Sequence, residues 1–249
     1  KINAVPRPSK KEEEIIQFMI DFGKNLGLET LKDSIGNVII KKNASPGMEN
    51  KKTVILQSHL DMVHQKNGDT VFDFEKQGIE MLINDDWVSA NGTTLGADNG
   101  IGVAAIMGIL ESNDIPHPAI EALFTIDEET GMTGAKKMDG SMFSGQILLN
   151  LDTEDDDELS IGCAGGIDTN TFYKYDPVKL DGNKSIKKIC IRGLVGGHSG
   201  MDIHKGRGNA NKWMARILFE LSKSLDFNLI SFHGGSLRNA IPREADASI

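Results

Sequence analysis

Three apolar, strand-like runs in this chain end in groups that bind cations. Thr53–Ser58 leads into His59, Ile120–Ile126 into Asp127-Glu128-Glu129, and Ile147–Leu151 into Asp152. A fourth acid, Asp98, sits in the glycine-rich stretch Gly96-Ala97-Asp98-Asn99-Gly100. In open α/β sheets the loops beyond the carboxyl ends of the strands line the crevice where ligands bind. A chain built this way gathers one imidazole and several carboxylates at one place, a combination that points to a metal ion.

Ser9 and Glu12 have capping-box spacing. They predict an amphipathic helix carrying Ile15, Ile16, Met19, Phe22 and Leu26 and stopped by Gly27. A hairpin around Ser34–Asn37 follows, with Val38-Ile39-Ile40 as its β-branched arm. Ile79–Ile83 and Trp87–Ala90 read as a second hairpin, and Gly100–Glu111 as a buried helix beginning just after Asp98. Strand and helix then alternate through Leu151, the pattern of a parallel or mixed sheet covered by helices. Beyond a polar segment, Lys174–Lys184, the chain reads as strand Ser185–Leu194, helix Asn209–Leu225, strand Asn228–Phe232 and strand Ala245–Ile249. The domain boundary falls within that polar segment.

At 249 residues, 39% hydrophobic and 25% charged, the chain can hold one large domain or two smaller ones. The net charge of −9 and dispersed basic residues argue against nucleic acid and favour cations. No apolar stretch approaches the ~20 residues of a membrane span, and no signal-peptide pattern is present, so a cytoplasmic protein is expected. Cys163 and Cys190 read as reduced thiols buried in the core.

Several motifs compete for a functional reading. In extended backbone Asp61 shares a side with His59, so it can hold the imidazole in the tautomer a metal requires. The adjacent Glu128 and Glu129 point in different directions, which lets one bind metal while the other handles a proton. Gly100-Ile101-Gly102-Val103-Ala104-Ala105 fits a dinucleotide fingerprint, with Glu121 suitably downstream. The fingerprint needs an apolar strand before its glycines, and residues 92–98 are polar and loop-like. These glycines read instead as allowing backbone close to a metal and dense helix packing.

Gly197-His198-Ser199-Gly200 lacks the final glycine of a serine-nucleophile elbow, because Met201 stands there. Its glycine-flanked His198 is better suited to donating a hydrogen bond. The acidic run Asp152–Glu158 lacks the central Gly and terminal Glu of a calcium loop, which leaves Asp152 as its functional member and the rest as a solvated face.

Six segments together resemble the aminoacyl-histidine dipeptidases, a branch of the di-zinc metallopeptidases. They are Ser58–Val63, Gly92–Gly102, Asp127–Gly131, Leu149–Glu154, Gly196–Gly200 and Arg238–Ala245. The resemblance implies an α/β fold, a mixed and mostly parallel sheet flanked by helices, followed by the beginning of an α+β lid domain. The expected domains are 1–182, catalytic, and 183–249, an incomplete lid and dimerisation domain.

By the same resemblance Asp98 bridges two divalent ions, zinc above all with cobalt or manganese as alternatives. His59 and Asp152 complete one site and Glu129 the other, Glu128 is the general base, and Asp61 supports His59. The Asp98–Asn99 peptide is expected to be cis. His198 is implied as an oxyanion donor reaching the partner subunit of a homodimer, and Asn239 and Arg243 as substrate-binding residues, with a surface salt bridge as the alternative for Arg243. A last His ligand is expected beyond the end of the chain, and none of His64, His117, His204 or His233 lies in its motif. The implied reaction is hydrolysis of dipeptides, including Xaa-His dipeptides, by a water activated between two zinc ions. Hydrolysis of N-acyl amino acids, or a catalytically incomplete metal-binding fragment, are the competing readings.

Overall fold

A computed structural model describes residues 1–153, 157–162, 165–179, 182 and 185–249. Two compact units divide the chain, Lys1–Cys163 and Ala164–Ile249. Among the described residues, no helix is long and apolar enough to cross a membrane.

The first unit contains α1 (Glu13–Asn25), β1 (Glu29–Lys32), β2 (Val38–Lys42), β3 (Val54–His59), β4 (Met81–Asn84), β5 (Trp87–Ala90) and α2 (Ala97–Glu111). It continues with β6 (Ile120–Thr125), the short helices α3 (Glu128–Gly131) and α4 (Thr133–Lys137), and β7 (Ile147–Asn150). Five strands form one sheet in the order β1-β2-β6-β3-β7. β3 lies parallel to both β6 and β7, while β1-β2 and β2-β6 are antiparallel. The parallel trio brings the C-terminal ends of β3, β6 and β7 to one edge, as the opening pattern predicts. β4 and β5 pair as a separate hairpin.

Alternation along β2 explains the two layers. Val38 and Ile40 join the core beneath α1 and α2, packing with Ile15, Met19, Val103, Ile106 and Phe124. Ile39 turns to the other face with Ile55 and Leu123, covered by Met138, Met142 and Phe143. Burial of each such side chain contributes roughly 1.5–3 kcal/mol. α1 ends in a Schellman arrangement: Gly27, at φ 70°, donates its N–H to Lys24 O, and Leu28 donates to Gly23 O.

Two local expectations are corrected here. The Ser9/Glu12 capping box does not form, because α1 begins at Glu13 and its N-cap, Glu12, makes no side-chain capping bond. Both side chains are committed elsewhere, as described below. Nor is α2 buried all round. Val103, Ile106, Met107 and Leu110 face the core, whereas Ile101, Ala104, Ala105 and Gly108 are exposed.

The second unit is built on β8 (Lys188–Ile191), α5 (Ala210–Ser222), β9 (Ser231–Gly234) and β10 (Ala245–Ser248). The three strands form an antiparallel sheet in the order β8-β10-β9. Ala210 and Met214 of α5 pack on Ala245, Ala247, Ile189 and Ile191. Asn209 caps α5 by accepting from Lys212 N at 3.1 Å. Cys190 is exposed rather than buried, because its neighbours Ile189 and Ile191 take the core-facing positions of an edge strand. Cys163 lies outside the described residues.

Candidate metal centre

His59, the last residue of β3, is wholly buried. Its two ring nitrogens face different partners. Nε2 points at Asp98 Oδ1, 3.0 Å away, and at Asp152 Oδ1, 3.5 Å away. Nδ1 lies 3.2 Å from Asp61 Oδ1. Nδ1 also meets the Asp61 backbone O at 3.1 Å, so Nε2 is the nitrogen available to a metal and Nδ1–H is held by Asp61, the arrangement that fixes a ligating histidine.

Asp98 comes from the irregular first turn of α2, and the Asp98–Asn99 peptide is cis as expected. Asn99 is buried and donates to Leu151 O at 2.7 Å and Asp152 Oδ1 at 2.6 Å, so it sets the position of Asp152 beyond β7. Sequence reasoning missed this role. Its position directly after Asp98 in a glycine-rich loop was the available signal.

Glu128 and Glu129 open α3, which follows β6 after Ile126 and Asp127. Asp61 holds their backbone: its Oδ1 accepts from Glu128 N at 3.0 Å and its Oδ2 from Glu129 N at 3.2 Å. Candidate ligand atoms of His59, Asp98 and Glu129 lie within 4.8 Å of one another, as do those of His59, Glu128 and Asp152. The structure therefore gathers His59, Asp98, Glu128, Glu129 and Asp152, with Asp61 directly behind them.

The electrostatics reflect crowding of carboxylates around one imidazole. Burial disfavours charge on His59, but hydrogen bonds to Asp152, Asp61 and Asp98 outweigh it and push the pKa up to about 12. Burial and the Asp98 charge push Glu129 up to about 8. Glu128 is raised by burial, with His59 partly offsetting the effect. Hydrogen bonding to His59 lowers Asp98. One imidazole with several carboxylates suits zinc, cobalt or manganese, and the raised pKa values of His59 and Glu129 mean that a cation would compete with protons there.

The other histidines of the first unit have partners of their own. His64 packs edge-on to Phe74, and His117 Nδ1 meets Pro118 O at 2.7 Å. His204 and His233 belong to the second unit. Glu121 is no ribose ligand: it is buried and accepts from Ser144 N, Ser144 Oγ and Gly145 N.

In the second unit His198 bridges antiparallel to Ala240, Ser199 N donates to Asn239 O, and Ile241 N donates to Gly197 O. His198, Asn239 and Arg243 thereby share one local platform. Gly200 N and Met201 N both donate to His198 Nδ1 at 3.1 Å, so Nε2 is the nitrogen that carries hydrogen. Asp202 accepts from His198 N at 2.8 Å and from Arg207 at 2.9 Å. Arg243 Nε donates to Leu194 O at 2.9 Å.

The first unit is thus an α/β sheet with a candidate metal centre at its edge, and the second an antiparallel sheet with one helix packed on it. The chain belongs to Peptidase family M20/M25/M40, whose profile matches residues 55–199. A Peptidase dimerisation domain profile matches residues 189–249. The cytosol non-specific dipeptidase of Escherichia coli K12 is 47% identical over 249 residues, covering 100% of this chain and 51% of that protein. The crystal structure of aminoacylhistidine dipeptidase from Vibrio alginolyticus matches with a TM-score of 0.65 and 47% identity, over 99% of this chain and 50% of that one. Aminopeptidase PepT from Bacillus cereus shares the fold at a TM-score of 0.51 and 22% identity, over 99% of this chain and 62% of its own. The chain thus spans about half the length of the dipeptidases it matches.

Proposed function

We propose that the protein is a cytoplasmic, homodimeric dipeptidase that hydrolyses dipeptides, Xaa-His dipeptides among them, with a pair of divalent ions, zinc foremost. The observation that carries this reading is the gathering of four carboxylates around His59, in the groups His59-Asp98-Glu129 and His59-Glu128-Asp152, with Asp98 Oδ1 and Asp152 Oδ1 both facing His59 Nε2. Identity to a cytosol non-specific dipeptidase and to an aminoacylhistidine dipeptidase supports the substrate class and the compartment. The dimerisation profile supports the homodimer.

His59, Asp98 and Asp152 would hold one ion, and Asp98 with Glu129 the other. When bound, the ions supply Lewis acidity and lower the pKa of water toward neutrality. Glu128 takes the proton of the attacking water and passes it to the leaving amine. His198, with hydrogen on Nε2, donates to the developing oxyanion from the partner subunit. Asn239 binds the substrate, and Arg243 grips its terminal carboxylate.

Glu128→Gln decides the base. Turnover is expected to vanish while metal stays bound, and normal turnover overturns the assignment. A panel of dipeptides and N-acyl amino acids, with and without chelator, decides the substrate class. Metal stoichiometry near two per chain supports an intact site, and near zero or one the incomplete-fragment reading.

A further inference from the structure

The segment Arg7–Glu12, which the proposed chemistry does not use, lies beneath three of the loops that carry the site. Arg7, Ser9 and Glu12 are almost entirely buried, at 2%, 6% and 5% exposure. The segment runs alongside the exit of β3: Pro8 bridges parallel to Met62, and Met62 N donates to Arg7 O at 3.1 Å. Each of these three side chains reaches a loop of the site.

Arg7 Nη1 donates to Leu60 O at 3.0 Å and Asp61 O at 3.2 Å, holding the backbone immediately after His59. Its Nη2 bonds Gly96 O, in the loop that delivers Asp98. Ser9 Oγ donates to Asp61 Oδ2 at 2.8 Å and Met62 O at 3.2 Å. Glu12 Oε1 accepts from Asp127 N at 3.1 Å, directly before Glu128 and Glu129.

Two glycines show how closely the surroundings fit this segment. A Cβ on Gly96 would sit 2.5 Å from Arg7 Nη2, and one on Gly100 would sit 2.8 Å from the same atom. Gly96 also has φ 73°, a conformation that L side chains rarely adopt. These glycines of the Asp98 loop make room for the guanidinium.

We infer that Arg7, Ser9 and Glu12 form a positioning element that sets the mutual register of the His59–Asp61 loop, the Asp98 loop and the Glu128–Glu129 turn. Arg7 ties the first two together. Ser9 and Glu12 tie the first and third, since Asp61 holds the N–H groups of Glu128 and Glu129 while Ser9 holds Asp61. None of the three touches the reacting atoms. Their effect passes through Asp61, Gly96 and Asp127.

This inference rests on the metallopeptidase reading for its activity arm, and metal affinity tests it separately. Ser9→Ala, Glu12→Ala and Glu12→Gln are made in the full-length protein. Zinc affinity is measured by competition with a chromophoric chelator, and kcat and KM on a dipeptide are measured alongside. Ser9→Ala and Glu12→Ala are expected to lose about 10–100-fold in zinc affinity or kcat, the range for residues that orient ligands, with KM within about two-fold. Glu12→Gln keeps an acceptor for Asp127 N and is expected to recover most of the loss.

Zinc affinity and kcat both within two-fold of wild type in folded Ser9→Ala and Glu12→Ala proteins overturn the inference. So does an equal deficit in Glu12→Gln and Glu12→Ala. If Glu12→Ala does not fold, Ser9→Ala, which deletes one hydroxyl, carries the test alone. A wild-type protein inactive on peptides, with zinc affinity still weakened in the variants, would remove the proposed function and leave the positioning role.

Discussion

His59 Nδ1 lies 3.2 Å from Asp61 Oδ1, and both side chains are almost completely removed from solvent. Asp61 also receives Ser9 Oγ, Glu128 N and Glu129 N, so one carboxylate orients both His59, the proposed ligand, and the turn that carries Glu128, the proposed base. Asp61→Asn keeps the shape but turns an NH2 group toward donors. Zinc affinity, measured by chelator competition, is expected to drop about 10–100-fold. Wild-type affinity in that variant would show that Asp61 does not orient the site.

Metal binding is expected to strengthen with pH and to release protons. In the metal-free protein His59 is pushed up to about 12 from 6.5, so its stabilising contribution is full below 6.5 and is lost as pH rises through about 12. Glu129, raised from 4.5 to about 8, contributes below 4.5 and loses that contribution as pH climbs through about 8. Near neutrality a binding cation is therefore expected to displace protons from both groups. Calorimetric titration with zinc at pH 7, in two buffers of different ionisation enthalpy, counts them. A heat independent of buffer would contradict this account.

The sheet edge was legible because each site-bearing strand is a compact apolar run that ends in an acid or a histidine. That pattern needs only the geometry of parallel strands. Asn99, Arg7 and the second task of Asp61 were not legible, because their partners are backbone groups or distant residues that leave no periodic trace. Ser9 and Glu12 show the limit most clearly. Their spacing fits a local cap, yet Ser9 meets Asp61 and Glu12 meets Asp127, more than a hundred residues further along the chain. Cys190 was misread for a related reason: residue type alone does not say which face of an edge strand a side chain takes.

Glu121 offers a stability test independent of catalysis. Its carboxylate accepts from Ser144 N, Ser144 Oγ and Gly145 N, and Lys41 Nζ lies 3.6 Å away. Glu121→Ala leaves those donors unmatched and is expected to cost about 1–3 kcal/mol by denaturant unfolding, with kcat unchanged. Burial raises the Glu121 pKa, but the Gly145 and Ser144 donors outweigh it and leave it below 4.5. Its contribution is therefore present above pH 4.5 and lost as pH falls through the depressed value, so the gap between variant and wild type closes in acid. Equal stability at neutral pH would remove Glu121 from the scaffold.

His198 gives a test of subunit cooperation. Gly200 N and Met201 N occupy its Nδ1, which leaves Nε2–H as the donor, and Asp202 fixes the backbone of the same residue. If that donor serves the partner's site, His198→Ala and Glu128→Gln homodimers are each inactive for different reasons. A mixed dimer then combines an intact Glu128 on one subunit with an intact His198 on the other, and one of its two sites works. Subunit exchange between the two inactive variants is expected to restore peptide hydrolysis. His198→Ala alone is expected to lose about 10²–10³-fold in kcat, the range for one oxyanion donor. No recovery in demonstrably mixed dimers would mean that His198 acts within its own subunit or not at all, and the kcat of His198→Ala separates those two outcomes.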